Sequence, residues 1–508
     1  MIFNKFIKIL ILLKLLKKNI FINYLLPVTG GLMGGVSISS FLWLIFMPIS
    51  LSILWSGIGK KYSNFLWGFS FVLVSHHWLL YLHPLTWLGF TWISSILITN
   101  IIWFSCSLLG GLFVLLWGLI GKKIILKENI FLINDNELLI RVVFMSLLWA
   151  LGELILSQTS FFWIGIGESL IPGDLYLAGL ARFIGSKGIS FIALLIGFWL
   201  YFIFEKWKRR LNISRLLLGG ILIIAFLHLI GAYLIKPTNR DFEFPIAIWQ
   251  TNIPTREKLV LNNQITTDKI LTQQEKALSQ NAKLLVAPEG TLYSDFVFQK
   301  PNKIDMLIGG FRKENNTIRN SLMSFKKGEK LYSDFIDKYR LVPLGEQVPN
   351  IFNRLFVNLS SLGGIESGNN KRYLKGGNDQ AIVGVICYEI TDGAKIRQAI
   401  QNGSKFILSI ANLDPYPLNL FDQYISIASM RSIENNIDIV IASNTGPSGL
   451  ISKDGRVNQL FATQVEKNQV VYVDYLNKKT FYNRFGDKPL IITLLIILIY
   501  INFSKVVN

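Results

Sequence analysis

The sequence predicts an integral membrane α-helical bundle of about eight spans joined to an α/β sandwich that stands outside the lipid. Three observations predict it. The chain of 508 residues is 51% hydrophobic and 13% aromatic, with a mean hydropathy of +0.43, a balance found in proteins that lie partly in lipid. This apolarity is concentrated in residues 1–236 and again in 488–508. Residues 237–487 instead mix charge with short Ile- and Val-rich runs, and are long enough to bury a core of their own.

Taken in order, the apolar runs at 20–36, 38–58, 63–82, 96–120, 139–157, 188–205, 215–235 and 489–504 each approach the length needed to cross a bilayer. Basic clusters fall at every second boundary: Lys5, Lys8, Lys14, Lys17 and Lys18; Lys60 and Lys61; Lys122, Lys123 and Lys127; Lys206, Lys208, Arg209, Arg210 and Arg215; and Lys505. The alternate connections carry only Arg182 and Lys187. The positive-inside rule then puts the N-terminus in the cytoplasm and residues 237–487 on the outer side. Lys14, Lys17 and Lys18 interrupt the first apolar stretch, so it reads as retained rather than as a cleaved signal peptide.

The net charge of +19 has the same topological origin. Residues 237–487 hold 30 Lys/Arg against 25 Asp/Glu, which leaves 51 − 30 = 21 against 32 − 25 = 7 around the spans. That distribution argues against a nucleic-acid partner. Segment 158–187 is too polar to span and unusually aromatic, and is expected along the outer interface beneath the sandwich. Glu153, inside an apolar run, should point into the bundle or a cavity, serving helix packing or a substrate path.

Strands are expected at 244–249, 283–287, 305–309, 381–387, 405–410, 438–442 and 470–475, with helical spacing at 264–280, 393–402 and 421–436. Three segments end in polar residues suited to catalysis: Lys283-Leu-Leu-Val-Ala-Pro-Glu289, Asp337-Lys338-Tyr-Arg-Leu-Val-Pro-Leu-Gly-Glu346, and Val383-Gly-Val-Ile-Cys387-Tyr388-Glu389. Cys387 and Cys106 are the two cysteines, too far apart in kind and place to form a disulfide framework. All four histidines precede residue 237, so a nucleophilic Cys387 would be activated otherwise. A carboxylate can take the thiol proton and an ammonium can stabilise the developing charge, roles that suit Glu289 and Lys338, with the Tyr388 N–H as a second oxyanion donor. Residues 290–302 and 351–377 are candidate lids.

These three segments together resemble the nitrilase (carbon-nitrogen hydrolase) superfamily, which implies an αββα sandwich and a Glu-Lys-Cys triad. Seven spans before the domain and one after make the chain similar to the apolipoprotein N-acyltransferase family within it. The similarity extends over Leu148-Trp-Ala-Leu-Gly-Glu153, Trp249-Gln-Thr-Asn-Ile253, Arg431-Ser-Ile-Glu434, Asn444-Thr-Gly446 and Phe481-Tyr-Asn-Arg-Phe-Gly-Asp487. It implies Glu289 as general base, Lys338 as oxyanion stabiliser and Cys387 as nucleophile, supported by Glu346, Tyr388 and Glu389. The implied reaction is ping-pong: a phospholipid donates an acyl chain to Cys387, and the S-diacylglyceryl-cysteine amino group of an apolipoprotein accepts it. It implies a monomer in the bacterial inner membrane, with neither cofactor nor metal. The alternatives are a membrane-tethered amidase that gives its thioester to water, and a receptor or transporter without catalysis. The chain departs from the family pattern at Ala287, Arg340 and Leu344, and in Ala411-Asn-Leu-Asp-Pro-Tyr-Pro417, which lacks a usual tryptophan.

Overall fold

The computed structural model describes residues 21–86, 90–125, 133–236, 243–255, 263–294, 296–315, 317–343, 346, 365–369, 371–375, 381–474 and 478–507. The basic segment at the N-terminus, Lys127, Leu344, Tyr475 and most of 351–377 lie outside the described residues. The helices before the sheets are α1 (Leu26–Ser37), α2 (Trp43–Ser56), α3 (Ser63–Ser75), α4 (Trp92–Ile124), α5 (Asp135–Ser157), α6 (Leu175–Ala178), α7 (Ala181–Lys208) and α8 (Ser214–Leu234). Four of them, α4, α5, α7 and α8, are long and apolar enough to cross a membrane. Helices α2 and α3 are apolar but shorter. The run expected at 63–82 divides, α3 ending at Ser75 and a 3₁₀ turn, His77–Leu82, following it.

Helix α1 is short but packs flush. Gly31 lies so close to α3 that a Cβ there would stand 2.3 Å from the Trp67 carbonyl oxygen, which is the close backbone approach that small residues permit between membrane helices. Two of the long helices begin at capping side chains: Thr91 Oγ1 accepts the Ser94 N–H at 3.2 Å before α4, and Asn134 Oδ1 accepts that of Asn136 at 3.0 Å before α5. The side chains of α8 stand mostly exposed, Leu218, Ile223, Phe226 and Leu229 among them, as expected of a face that meets lipid.

The C-terminal half forms two six-stranded sheets, ordered β12-β1-β2-β3-β4-β5 and β11-β10-β9-β8-β7-β6. The first holds β1 (Glu243–Gln250), β2 (Leu284–Leu292), β3 (Asp305–Glu314), β4 (Thr317–Phe325), β5 (Asp334–Asp337) and β12 (Lys467–Asp474). The second holds β6 (Tyr373–Lys375), β7 (Ala381–Ile386), β8 (Phe406–Ala411), β9 (Ile439–Ser443), β10 (Gly449–Ile451) and β11 (Val457–Leu460). Strands β1 to β3 run parallel, as do β7 to β9. Ile246, Val286 and Leu322 meet Ile382, Ile410 and Val440 in a core between the sheets. Helix α9 (Asn263–Ser279) covers the outer face of one sheet; α10 (Gly393–Gln401) and α11 (Leu418–Asn435) cover the other. Strands covered on both faces read as continuous apolar runs, and every residue of β8 and β9 is buried. The layers are those of an αββα sandwich.

Helix α11 is mostly buried, Leu418 and Asp422 apart, because it packs between the second sheet and the bundle. Its Arg431 donates to Glu168 at 2.9 Å and pairs with Glu434 one turn on, while Glu434 accepts the Ser186 N–H of α7 at 2.8 Å. Lys187 reaches Glu168 at 2.6 Å and lies 3.9 Å from Glu153. Glu153 itself accepts from Trp149, Ser190 and the Ile166 N–H at 2.9, 2.6 and 3.0 Å. The intramembrane carboxylate is thus satisfied inside the bundle, at the root of a network that ties sandwich to helices. Residues 163–171 are buried within this joint rather than spread along the lipid surface. After β12, α12 (Phe481–Phe485) closes against α10 and α11, Asn483 bonding Asn435 at 2.8 Å, before α13 (Lys488–Val507) leads away.

Candidate active site

The three segments chosen from the sequence converge. Glu289 extends from β2, just after Pro288; Lys338 follows the last residue of β5; Cys387 follows β7, in the facing sheet. Strand β3 runs so close to β2 that a Cβ on Gly309 would lie 2.5 Å from the Pro288 carbonyl oxygen. Glycine there lets the backbone that carries Glu289 sit at this depth.

Lys338 Nζ donates to Glu289 Oε1 at 2.9 Å and to Glu346 Oε1 at 2.8 Å. The Asn320 amide donates to the same two oxygens at 2.6 and 3.1 Å, and the Asn412 N–H holds Glu289 Oε2 at 2.7 Å. Burial by itself would raise the Glu289 pKa, but Lys338 and the two asparagine donors hold it below the ordinary carboxylate value. Burial also opposes charge on Lys338, yet Glu289 and Glu346 hold it well above its usual value. Burial, and then the negative charge of Glu289, push the Cys387 thiol far above an ordinary thiol, with Lys338 opposing. At rest the site therefore holds an ionised Glu289, a charged Lys338 and a neutral thiol. Lys338 serves the carboxylates first, and does not by itself make the thiolate that the sequence reading allowed.

Cys387 has φ +52°, a left-handed conformation costly for a residue with a side chain. Glu389 braces the turn, one oxygen accepting the Ile386 N–H at 2.9 Å and the other the Tyr339 N–H at 2.7 Å. Arg372 clasps both Glu389 oxygens, at 2.9 and 2.8 Å. One carboxylate thereby fixes the strand end bearing Cys387 to the residue after Lys338. The role of Glu389 here is positional.

Tyr388 points toward the bundle. Its hydroxyl donates to the Ser160 and Phe162 carbonyls at 2.9 and 2.6 Å, and its ring stacks on Trp163 at 5.8 Å. Arg340 lies 5.0 Å from the Tyr388 ring centroid and donates to the Ser157 carbonyl at 3.0 Å and to that of Thr159. A cation suits these carbonyls at the C-terminal end of α5. Sequence reasoning missed Asn320, Asn412, Arg372 and this pairing of Arg340. Asn412 lay within a flagged segment, whereas β4, which carries Asn320, gave no strand signal. Among the described residues no group of His, Cys, Asp and Glu could hold a metal ion.

No family model matches the sequence. An apolipoprotein N-acyltransferase of Prochlorococcus marinus subsp. pastoris is 51% identical over 489 residues, covering 96% of this chain and 98% of that protein. One from Prochlorococcus marinus strain SARG is 38% identical over 488 residues, covering 96% and 98%. Among solved structures, Saccharomyces cerevisiae Nit3, of the nitrilase superfamily, is 14% identical over 47% of this chain and 92% of that one, with a TM-score of 0.35.

Proposed function

This chain belongs to the apolipoprotein N-acyltransferase family, and from that membership and the site above we propose that Glu289, Lys338 and Cys387 carry its acyl transfer. In the first half-reaction Glu289 takes the thiol proton as Sγ attacks an ester carbonyl of a phospholipid. Lys338 has three N–H donors and spends two on carboxylates, which leaves one for the oxyanion, beside the Tyr388 N–H. As the C–O bond breaks, the leaving alkoxide takes the proton from Glu289, and a lysophospholipid departs. In the second half-reaction the amino group of an S-diacylglyceryl-cysteine attacks the thioester. Its proton passes through Glu289 to the departing sulfur, and the amide is complete. Glu346 keeps Lys338 in place; Glu389 and Tyr388 hold the nucleophile turn.

The observation that carries this reading is the convergence of a buried carboxylate, ammonium and thiol next to an aromatic layer supplied by the bundle. On this reading residues 1–236 form the anchoring bundle, 237–487 the extracytoplasmic catalytic domain and 488–508 the last span of a monomer in the inner membrane. Lys60 lies near Glu205 and Lys208 at one end of α7, while Ser186 near its other end bonds Glu434 of the sandwich, an arrangement that supports a cytoplasmic N-terminus. Both substrates are lipids held in one leaflet, where tethering raises their effective concentration. Full-length protein given radiolabelled phosphatidylethanolamine and a diacylated lipopeptide should return labelled triacylated peptide. Labelled fatty acid without labelled peptide would instead identify a hydrolase.

The pH profile follows from the charge states. An ionised Glu289 is needed, and its pKa is depressed, so acylation should fall only below the ordinary carboxylate range. The thiol is lifted, so single-turnover acylation should stay flat between about pH 6 and 8 and lack the rise near 8.5 of a free thiol. A rise there would make a preformed thiolate the attacking species.

A further inference from the structure

A 3₁₀ turn of the bundle, His77–Leu82, brings Trp78 to the edge of the catalytic centre. The Trp78 ring meets Tyr416 edge-on at 5.4 Å and Trp163 at 5.6 Å. Each of these leads to the nucleophile. Trp163 stacks on Tyr388, the neighbour of Cys387. Tyr416 is close enough to the triad that charge on Cys387 and Glu346, after burial, acts on its hydroxyl. Trp78 is therefore a bundle residue that reaches the aromatic side chains beside the catalytic centre.

Its indole N–H is buried and has no acceptor among the described residues. The other buried tryptophans among the described residues all have one. Trp43 donates to Ser169, Trp55 to the Leu194 carbonyl, Trp67 to that of Ser50 and Trp117 to that of Met145, at 2.9 to 3.2 Å. Trp149 donates to Glu153, Trp163 to Gln423 and Trp249 to Glu466, at 2.7 to 3.2 Å. A buried donor left open carries the full cost of its lost hydration, and such exceptions in native proteins call for a reason. Here the exception is an indole that the bundle sets against Tyr416 and Trp163, both neighbours of the catalytic centre.

We infer that Trp78 is a substrate-positioning residue whose indole N–H donates to an ester or phosphate oxygen of the glycerophospholipid acyl donor. This rests on the acyl-transfer reading above. A neutral donor suits this role, since it orients an ester or phosphate oxygen without binding the lysophospholipid product as tightly as a fixed cation would. The aromatic ring meanwhile supplies an apolar surface for the adjoining chain.

Trp78→Phe keeps an aromatic ring and removes the N–H. With full-length protein in nanodiscs and labelled phosphatidylethanolamine, the donor concentration for half-maximal Cys387 acylation should rise about 5- to 10-fold, the worth of one net hydrogen bond. The maximal acylation rate and the thermal unfolding midpoint should hold. A diether phospholipid, which keeps the phosphate and lacks ester carbonyls, locates the acceptor: weaker competition in Trp78→Phe assigns the phosphate, unchanged competition the ester. Equal half-saturation in wild type and variant overturns the assignment of Trp78 alone. So does a raised half-saturation accompanied by a lowered unfolding midpoint, which would mark a structural residue. Absence of any Cys387-dependent labelling in the wild type overturns the acyl-transfer reading and this inference together.

Discussion

Cys387→Ser is expected to abolish the labelled acyl-enzyme and to cut lipopeptide acylation on the order of 10⁴-fold or more, as loss of a nucleophile does in other covalent enzymes. The substitution nearly preserves volume and leaves the turn's braces untouched, because Glu389 holds the Ile386 and Tyr339 N–H groups and Arg372 holds Glu389. Folding and membrane insertion should therefore survive, and the unfolding transition should stay in place. A serine hydroxyl is far less acidic than a thiol and is a poorer nucleophile, so the neighbouring Glu289 cannot compensate. Retained labelling in the serine variant would remove Cys387 from the chemistry.

Lys338→Met should have the second largest effect, and a different signature. The ammonium separates Glu289 from Glu346, whose oxygens otherwise share only Asn320. Without it two carboxylates face each other in a poorly hydrated site, and one of them must take up a proton. Acylation should fall about 10²- to 10³-fold from the lost oxyanion donor alone, and the acid limb of its pH profile should move upward toward neutrality. Breaking a buried pair costs about 3–5 kcal/mol. In the variant the folded-state carboxylate pKa lies above its unfolded value, so the stability that remains is greatest in acid and is lost as pH rises through the raised pKa. Thermal unfolding followed from pH 5 to 8 reads this directly; a midpoint that climbs with pH would show that Lys338 does not separate the carboxylates.

The two-part architecture and the convergence of Glu289, Lys338 and Cys387 were legible because each left a local mark. Apolar runs of span length, with lysines at alternate ends, mark the bundle. An Ile- or Val-rich run that stops at a proline or a lone polar residue marks a strand end or a break in its pairing: Cys387 follows the end of β7, and Glu289 lies where the pairing of β2 with β3 shifts register between Ala287 and Leu292. What escaped was whatever depends on distant partners. Strand β4 carries Arg319, Asn320 and Ser321 at its centre, so its sequence does not read as a strand, yet Asn320 bridges both carboxylates. Arg431 and Glu168 stand 263 positions apart and meet only because α11 is pressed on the segment after α5. Trp78 resembles any aromatic residue near a bilayer surface until its missing acceptor is seen beside seven satisfied indoles.

The joint around Arg431 also bears on whether the sandwich can be cut loose. Severed at 236 and 488, it would carry away Arg431 and Glu434 but leave Glu168 and Ser186 behind, and it would bare Tyr388, Tyr416 and the bundle-facing side of α11 to water. Such a fragment should clump rather than dissolve. Anchor and sandwich are in this sense a single folding unit.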